Sequence, residues 1–279
     1  AGAFVTVMMG VPLFLVAALA TGQIVALADI PFSGYVFLSL AGVVHFVIGR
    51  YFNYRSVAAI GAARSGPIQT LTIPYSIFIA WAFLGEGVSI GMAIGIGLII
   101  IGPAIMIERQ SSQPKTNPTG SASDSGPQFQ FKQVDGYISA FLASIFYGTS
   151  PILIRAALQD QSGFSVAGGL VSYTAAAALL VVSLSIPSRR GLIQAMHPKT
   201  ARLFLGAGLF VFLAQMFRFI ALSLAPVAVV TPLQRAGIIF TLILSWILNR
   251  RLEYINWKVV LGILISVSGS VTLIVSGTS

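Results

Sequence analysis

The sequence predicts an all-α integral membrane protein, a bundle of nine transmembrane helices in two inverted repeats. Three observations support this fold class. Of the 279 residues, 56% are hydrophobic and only 8% are charged, whereas a soluble domain carries roughly 25% charged residues. Nine apolar segments are long enough to span a bilayer, which takes ~20 helical residues. Finally, the two halves of the chain share residues at a nearly constant offset.

The apolar segments divide the chain into two domains and a linker. They lie near 3–24, 34–53, 57–84, 88–107, 136–159, 163–186, 202–225, 227–249 and 255–276. Stretches such as IGIGLIIIG do not alternate apolar and polar residues as membrane-barrel strands do, so the segments predict helices. Residues 108–134 are rich in Ser, Pro, Gly and Gln and predict a flexible linker. We therefore expect a first repeat of four helices over 1–107 and a second of five over 135–279.

Five pairs of matching positions relate the two halves at offsets of 165 to 168 residues. They are Arg50 with Arg218, GPIQ (66–69) with TPLQ (231–234), Trp81 with Trp246, Glu86 with Glu253, and Gly95 and Gly102 with Gly262 and Gly269. The fifth segment has no partner in the first half, so we expect the first of ten original helices to be missing. Repeats of five helices insert in opposite orientations, an arrangement typical of secondary transporters.

Two stretches resemble the end of an EamA domain of the drug/metabolite transporter superfamily. They are SVAAIGAARSGPIQTLTIPYSIFIAWAFLGEGVSIGMAIGIGLIIIG (56–102) and APVAVVTPLQRAGIIFTLILSWILNRRLEYINWKVVLGILISVSGS (225–270). Each has a small-residue start, an early proline and a Gly-spaced final helix. Gly85 and Glu86 fit the family's GE pair, whereas the second copy departs from it at 249–253. The resemblance implies a ten-helix, two-repeat transporter of small metabolites and names no substrate.

Five arginines fall within predicted helices, namely Arg50, Arg64, Arg155, Arg218 and Arg235. A charge at the bilayer centre costs ~2.5–3.5 kcal/mol on the insertion scale, so such residues usually face a cavity. The alternative is that each arginine extends to the nearest interface. Polar residues at helical spacing accompany the arginines and either line a cavity or join helices. The predicted substrate-binding residues are Arg64, Gln69, Tyr147, Gln215, Arg218, Gln234 and Arg235.

Two prolines and one histidine complete the predicted site. Pro67 and Pro232 each remove a backbone donor, so we expect both to bend their helices beside the polar residues. His45 is the only group deep in the predicted helices whose ordinary pKa, ~6.5, is near neutral, which makes it the candidate for proton coupling. The alternative is a hydrogen-bonded packing histidine, since five residues of α-helix place it about 140° from Arg50.

The predicted function is secondary-active transport, by export or exchange, of a small metabolite through alternating access around a central cavity. The predicted helices contain no acid at depth, so unpaired arginines favour a carboxylate-bearing or anionic solute such as an amino acid or organic acid. The alternatives are efflux of drugs or cationic metabolites, a channel, or a lipid-handling protein. With no cysteine, two histidines and no intramembrane acid, we expect no enzyme, metal site or cofactor.

The positive charge predicts orientation, and we expect no binding to nucleic acid. Call side A the side on which the first segment begins. Its loops and linker hold eleven Lys and Arg residues, whereas side-B loops hold none and carry Asp29, Glu86 and Asp160. The positive-inside rule places side A in the cytoplasm of a multi-pass cell-membrane protein. The C-terminus is then outside, although the resemblance implies both termini inside. The expected partners are the lipid bilayer and a substrate, with proton or counter-substrate coupling; oligomeric state is not predicted.

Overall fold

The computed structural model describes residues 2–60, 65, 68–106, 133–159, 162–185, 198–235, 237 and 257–277. Nine helices lie within these ranges. They are α1 (Gly2–Ala20), α2 (Phe32–Ile60), α3 (Thr72–Leu84), α4 (Ile90–Met106), α5 (Gln133–Leu158), α6 (Ser165–Ser183), α7 (Pro198–Leu224), α8 (Val227–Arg235) and α9 (Trp257–Gly277). The described part of the chain contains no strand, which confirms the predicted all-α fold. Most of the linker, Arg64 and Pro67 lie outside the described residues.

Large apolar side chains cover the outside of the bundle. Phe32 is 84% exposed, Ile90 82%, Phe83 77% and Phe210 73%. Five helices, α1, α2, α5, α6 and α7, each contain a stretch long and apolar enough to cross a membrane. A soluble monomer rarely exposes contiguous apolar surface on this scale, so this surface is suited to contact with lipid tails.

Three of the four pairs of helices that are equivalent in the two repeats pack against each other. The pairs α1 with α6, α3 with α8 and α4 with α9 are each in contact, and α4 with α9 is the most extensive contact in the bundle. In a two-fold arrangement, an element near the axis meets its own equivalent, which places these three pairs near the axis. The contact pattern therefore agrees with the repeat predicted from the matched positions.

The α4–α9 contact is antiparallel and so close that glycine is required. A Cβ added to Gly95 would lie 2.8 Å from the backbone nitrogen of Leu273 and 2.9 Å from the carbonyl oxygen of Gly269. Gly91, earlier in α4, lies against Ser276, later in α9. Contacts in opposite order show that the equivalent helices run in opposite directions, as inverted repeats demand. The small residues allow close helix packing, as they do in many membrane proteins.

Two connections cap helices of the other repeat at one end of the bundle. Gln23 Oε1 accepts hydrogen bonds from the backbone nitrogens of Val166 (2.8 Å) and Ala167 (3.3 Å) at the start of α6. The Glu86 carboxylate accepts in the same way from Val227 (3.1 Å) and Ala228 (3.3 Å) at the start of α8. Each side chain satisfies backbone donors that a helix N-terminus leaves free, and the negative charge of Glu86 also suits the helix dipole.

Candidate substrate-binding site

The centre of α2 is not a regular α-helix, because Val43–Gly49 forms a π-helical segment. This segment begins directly after Gly42, where an added Cβ would collide with the backbone of Ser172. Ser172 Oγ donates to the Leu38 carbonyl at 2.7 Å and holds α2 to α6 there. π-Helical hydrogen bonds close over five residues and are frequent at functional sites. In a π-helix, residues five apart, such as His45 and Arg50, lie closer to the same face of the helix than they would in a regular α-helix.

Arg218 makes polar contacts with both repeats. It lies on α7 and is only 6% exposed. Its Nη1 lies 3.1 Å from His45 Nδ1 and 3.2 Å from Nε2, and donates to Gln215 Oε1 at 3.2 Å. Its Nη2 donates to Ser150 Oγ at 3.1 Å. A guanidinium only donates, so the imidazole nitrogen that it contacts accepts. The guanidinium thus joins α2 of the first repeat to α5 and α7 of the second.

Aromatic rings connect this cluster to a second arginine, Arg50. The His45 ring lies 4.9 Å from Tyr147 and 4.8 Å from Phe46, centroid to centroid. The guanidinium carbon of Arg50 lies 5.3 Å from the Phe46 centroid, within cation–π range. Arg50 Nη1 donates to Thr6 Oγ1 at 2.7 Å. Arg50 and Arg218, which match between the repeats, therefore flank one group of rings.

The structure groups three of the predicted binding residues, Arg218, Gln215 and Tyr147, with the coupling candidate His45. Sequence reasoning left out Ser150, which follows Tyr147 by three residues and so lies on the same helical face. Tyr147 also packs against Gly49, where an added Cβ would lie 2.9 Å from its ring. The polar residues predicted at helical spacing beside Arg155 on α5 therefore include the site residue Tyr147 but omit Ser150.

Gln69 belongs to a different polar cluster. Its Nε2 donates to Asn53 Oδ1 and to Ser65 Oγ, both at 2.7 Å, and Ser56 Oγ donates to Ser65 Oγ at 2.9 Å. These bonds join α2 to the segment that precedes α3. Polar contacts between membrane helices were the alternative interpretation of the polar residues at helical spacing, and the contacts of Gln69 fit that alternative.

The polar residues at helical spacing on α8, namely Thr231, Gln234 and Arg235, do not share one environment. Thr231 is buried, 4% exposed, whereas Gln234 is exposed. Pro232 lies inside α8 and is buried, and the bend that it was predicted to cause stays a prediction. The backbone of Arg235 ends α8, and its side chain lies outside what the structure describes, as do Arg64 and Pro67.

Arg155 corrects the expectation that the intramembrane arginines have no acidic counter-ion. Its Nε lies 3.6 Å from Glu86 Oε1, and the two side chains are only 16% and 10% exposed. Its Nη1 donates to the carbonyls of Leu222 and Ser223 at the end of α7, both at 3.1 Å. The acid comes from a connection between helices rather than from a helix, which is why a search of the apolar segments missed it.

The sequence profile of the EamA-like transporter family matches residues 1–107 and residues 134–275. The chain belongs to the EamA-like transporter family. The two matched ranges are the two halves that the repeat predicted, with the linker between them. This EamA-like transporter is therefore a multi-pass membrane protein of the drug/metabolite transporter superfamily, and transport rather than catalysis is what characterises the family.

Solved structures share the fold of this EamA-like transporter at low sequence identity. In all, 22 chains match. One of them, a crystal structure, is 13% identical with a TM-score of 0.68, and the match covers 99% of this chain and 87% of the other. At that identity the likeness concerns the fold alone. None of the curated proteins matches the chain.

Proposed function

We propose that this EamA-like transporter carries a small carboxylate-bearing or anionic metabolite, such as an amino acid or organic acid, by secondary-active alternating access. The supporting observation is the position of Arg218, a buried cation that contacts helices of both repeats. In inverted-repeat transporters, substrate binds at the interface between the repeats. Relative motion of the two repeats would change the contacts of a side chain that is hydrogen-bonded to both of them there.

The chemistry of the Arg218 cluster favours an anion over a cation. A guanidinium presents donors that match a carboxylate bidentately. The hydrogen bonds of Arg218 to Gln215 and Ser150 go to oxygens of uncharged groups, and its contact with His45 is to a ring nitrogen that accepts. A cationic drug would meet like charge there, which opposes binding. This argues against efflux of cations, the alternative that the composition left open.

Counterflow uptake into proteoliposomes tests the proposal. A panel of amino acids, organic anions, organic cations and neutral drugs would compete for uptake of a labelled carboxylate. We expect saturable competition by the anionic and zwitterionic solutes, lost in Arg218→Gln. Arg55→Gln is the matched control, because Arg55 is an exposed arginine of α2 that pairs with Asp135 away from the cluster. Competition by cations or neutral drugs alone would refute the anionic class.

The basic loops support a location in the cell membrane with the linker 108–134 in the cytoplasm. Eleven basic residues against none is a large asymmetry for the positive-inside rule. We propose this orientation together with the function. In this orientation, the caps of α6 and α8 lie on the outer side of the membrane. We also propose that transport is coupled to a proton or to a counter-substrate, with His45 as the candidate proton carrier.

A further inference from the structure

Helices α3 and α4 follow each other in the chain but separate on the outside of the bundle. α3 packs on α5 and α8, and α4 packs on α9 and α8, whereas the described residues of α3 and α4 make few contacts with each other. A groove of about 490 Å³ lies between them, which we call the α3–α4 groove. Its lining comes mainly from Pro74, Ile77, Phe78 and Trp81 of α3 and from Ala93 and Ile96 of α4.

The lining of the α3–α4 groove is apolar. None of the residues that line it is charged, and the indole nitrogen of Trp81 is the one polar side-chain group among them. The rings of Phe78 and Trp81 lie 6.1 Å apart, centroid to centroid. At the floor, Ile96 belongs to a buried cluster with Val229 of α8, and Ile77 packs against this cluster. Because a polar solute loses its hydration on such a surface and gains few hydrogen bonds, the groove favours an apolar ligand.

The α3–α4 groove is continuous with the lipid-facing surface of the bundle. Phe78 is 60% exposed and Trp81 is 59% exposed, and Phe83 and Ile90, at the adjoining ends of α3 and α4, are more exposed still. Trp81 lies in the last turn of α3, and tryptophan is enriched where a membrane meets water. From there the groove follows α3 to Pro74, about 10 Å away along the helix axis. The molecules that surround this surface are therefore bilayer lipids.

We infer that the α3–α4 groove binds one acyl chain of a bilayer phospholipid. A chain that lies on the outer face of a single helix contacts protein on one side only, whereas a chain in this groove contacts α3 and α4 at once. Its dispersion contacts replace those that the two helices do not make with each other. The inference goes beyond the proposed function, because it follows from the lining and the position of the groove and does not depend on the transported solute.

Quenching of tryptophan fluorescence by a brominated phospholipid tests the inference. The chain has three tryptophans, so Trp246→Phe with Trp257→Phe leaves Trp81 as the one reporter, in the groove itself. Phosphatidylcholine brominated in the middle of one acyl chain would be titrated into the detergent-solubilised protein. We expect saturable quenching that unbrominated phosphatidylcholine reverses by competition. Quenching that rises in proportion to the brominated lipid without saturating would show transient contact alone and would overturn the inference.

Ala93→Phe and Ile94→Phe form a matched pair of variants on α4. Both residues are exposed, and Ala93 lines the groove whereas Ile94 does not. We expect Ala93→Phe to weaken binding of the brominated lipid at least about tenfold, the factor that corresponds to lost contacts of about two methylenes, and Ile94→Phe to change it less than about twofold.

Thermal unfolding checks that both variants fold, and Ala93→Leu, which adds less volume, replaces Ala93→Phe if that variant does not. Equal affinities in the Ala93 and Ile94 variants would place the quenching lipid outside the groove and overturn the inference. Neither result bears on the transport of an anion, so the proposed function is tested separately.

Discussion

Arg155 and Glu86 form an ion pair that closes one end of the bundle, with 3.6 Å between Nε and Oε1. Each partner also holds a helix terminus: Glu86 caps the start of α8, and Arg155 bonds to the last carbonyls of α7. The α7–α8 turn is therefore fixed to the α3–α4 connection of the other repeat. Any motion that opens this end has to break the pair.

Removing the Glu86 carboxylate should destabilise the protein measurably. In Glu86→Ala we expect a loss of ~1 kcal/mol from the helix cap and a further ~1–3 kcal/mol from leaving the largely buried charge of Arg155 without its counter-ion. Thermal unfolding in detergent would measure the change. Asp135→Asn breaks the Arg55 pair, whose side chains are 45% and 38% exposed, and should change stability little, because solvent screens an exposed ion pair. Equal losses in both variants would contradict the structural role of Glu86.

A double-mutant cycle separates the ion pair from the cap. If Arg155 and Glu86 interact directly, the effects of Arg155→Met and Glu86→Gln should not add, with a coupling energy of ~0.5–3 kcal/mol. Glu86→Gln keeps an acceptor for the α8 nitrogens and removes only the charge. Additive losses would show that each residue acts through its own helix terminus alone.

The α4–α9 contact should not tolerate a single methyl group. Gly95→Ala places a Cβ 2.8 Å from the Leu273 nitrogen, so we expect a loss of ~1–3 kcal/mol from overpacking. Gly97 lies two residues away on the same helix, and its added Cβ would meet nothing within 4 Å. Gly97→Ala should therefore be neutral or stabilising by up to ~1 kcal/mol, as alanine is the better helix former. Unfolding midpoints of the two variants provide the comparison, and equal midpoints would refute the close approach.

Substitution of His45 distinguishes positioning from proton coupling. Gln offers an acceptor to Arg218 without titrating near neutral pH, whereas Leu offers none. If His45 only positions Arg218, His45→Gln should keep substrate affinity within about threefold and His45→Leu should weaken it about fivefold, the value of one ordinary hydrogen bond. Uptake would be measured with and without an imposed pH gradient. Loss of the gradient response in His45→Gln, with affinity intact, would instead support coupling.

The absence of cysteine makes the orientation easy to test. Gly87 lies exposed in the α3–α4 connection, and Ser121 belongs to the predicted cytoplasmic linker. An impermeant maleimide should label Gly87→Cys on intact cells, and label Ser121→Cys only after the membrane is permeabilised. The unmodified chain, with no cysteine, is the blank. The opposite labelling pattern would reverse the orientation inferred from the basic loops.

Composition and repeat offsets were sufficient to predict the fold, because both reflect constraints that act along the whole chain. Lipid demands long apolar segments, and a repeat leaves matched residues such as Arg50 and Arg218. The site was predicted only in part. Gln215 and Arg218 share a face because α7 is regular where they lie. His45 and Arg50 were predicted to lie on different faces because α2 was assumed to be a regular α-helix.

The other missed contacts depend on packing between elements distant in sequence. Nothing local to Arg155 indicates that Glu86, from a connection in the other repeat, lies beside it. Helical periodicity describes one helix at a time, so it has no means of revealing such pairs.

The antiparallel contact of Gly95 with Gly269 has an implication for how such a chain could arise. Gly269 is the repeat equivalent of Gly102, so the contact joins one position of the repeat to a different position of the other copy, which is the kind of contact that an isologous dimer makes. A gene for a single repeat could therefore have produced a working pair by inserting its product in both orientations. Joining two copies through residues 108–134 then fixes their ratio at one to one and frees each half to diverge.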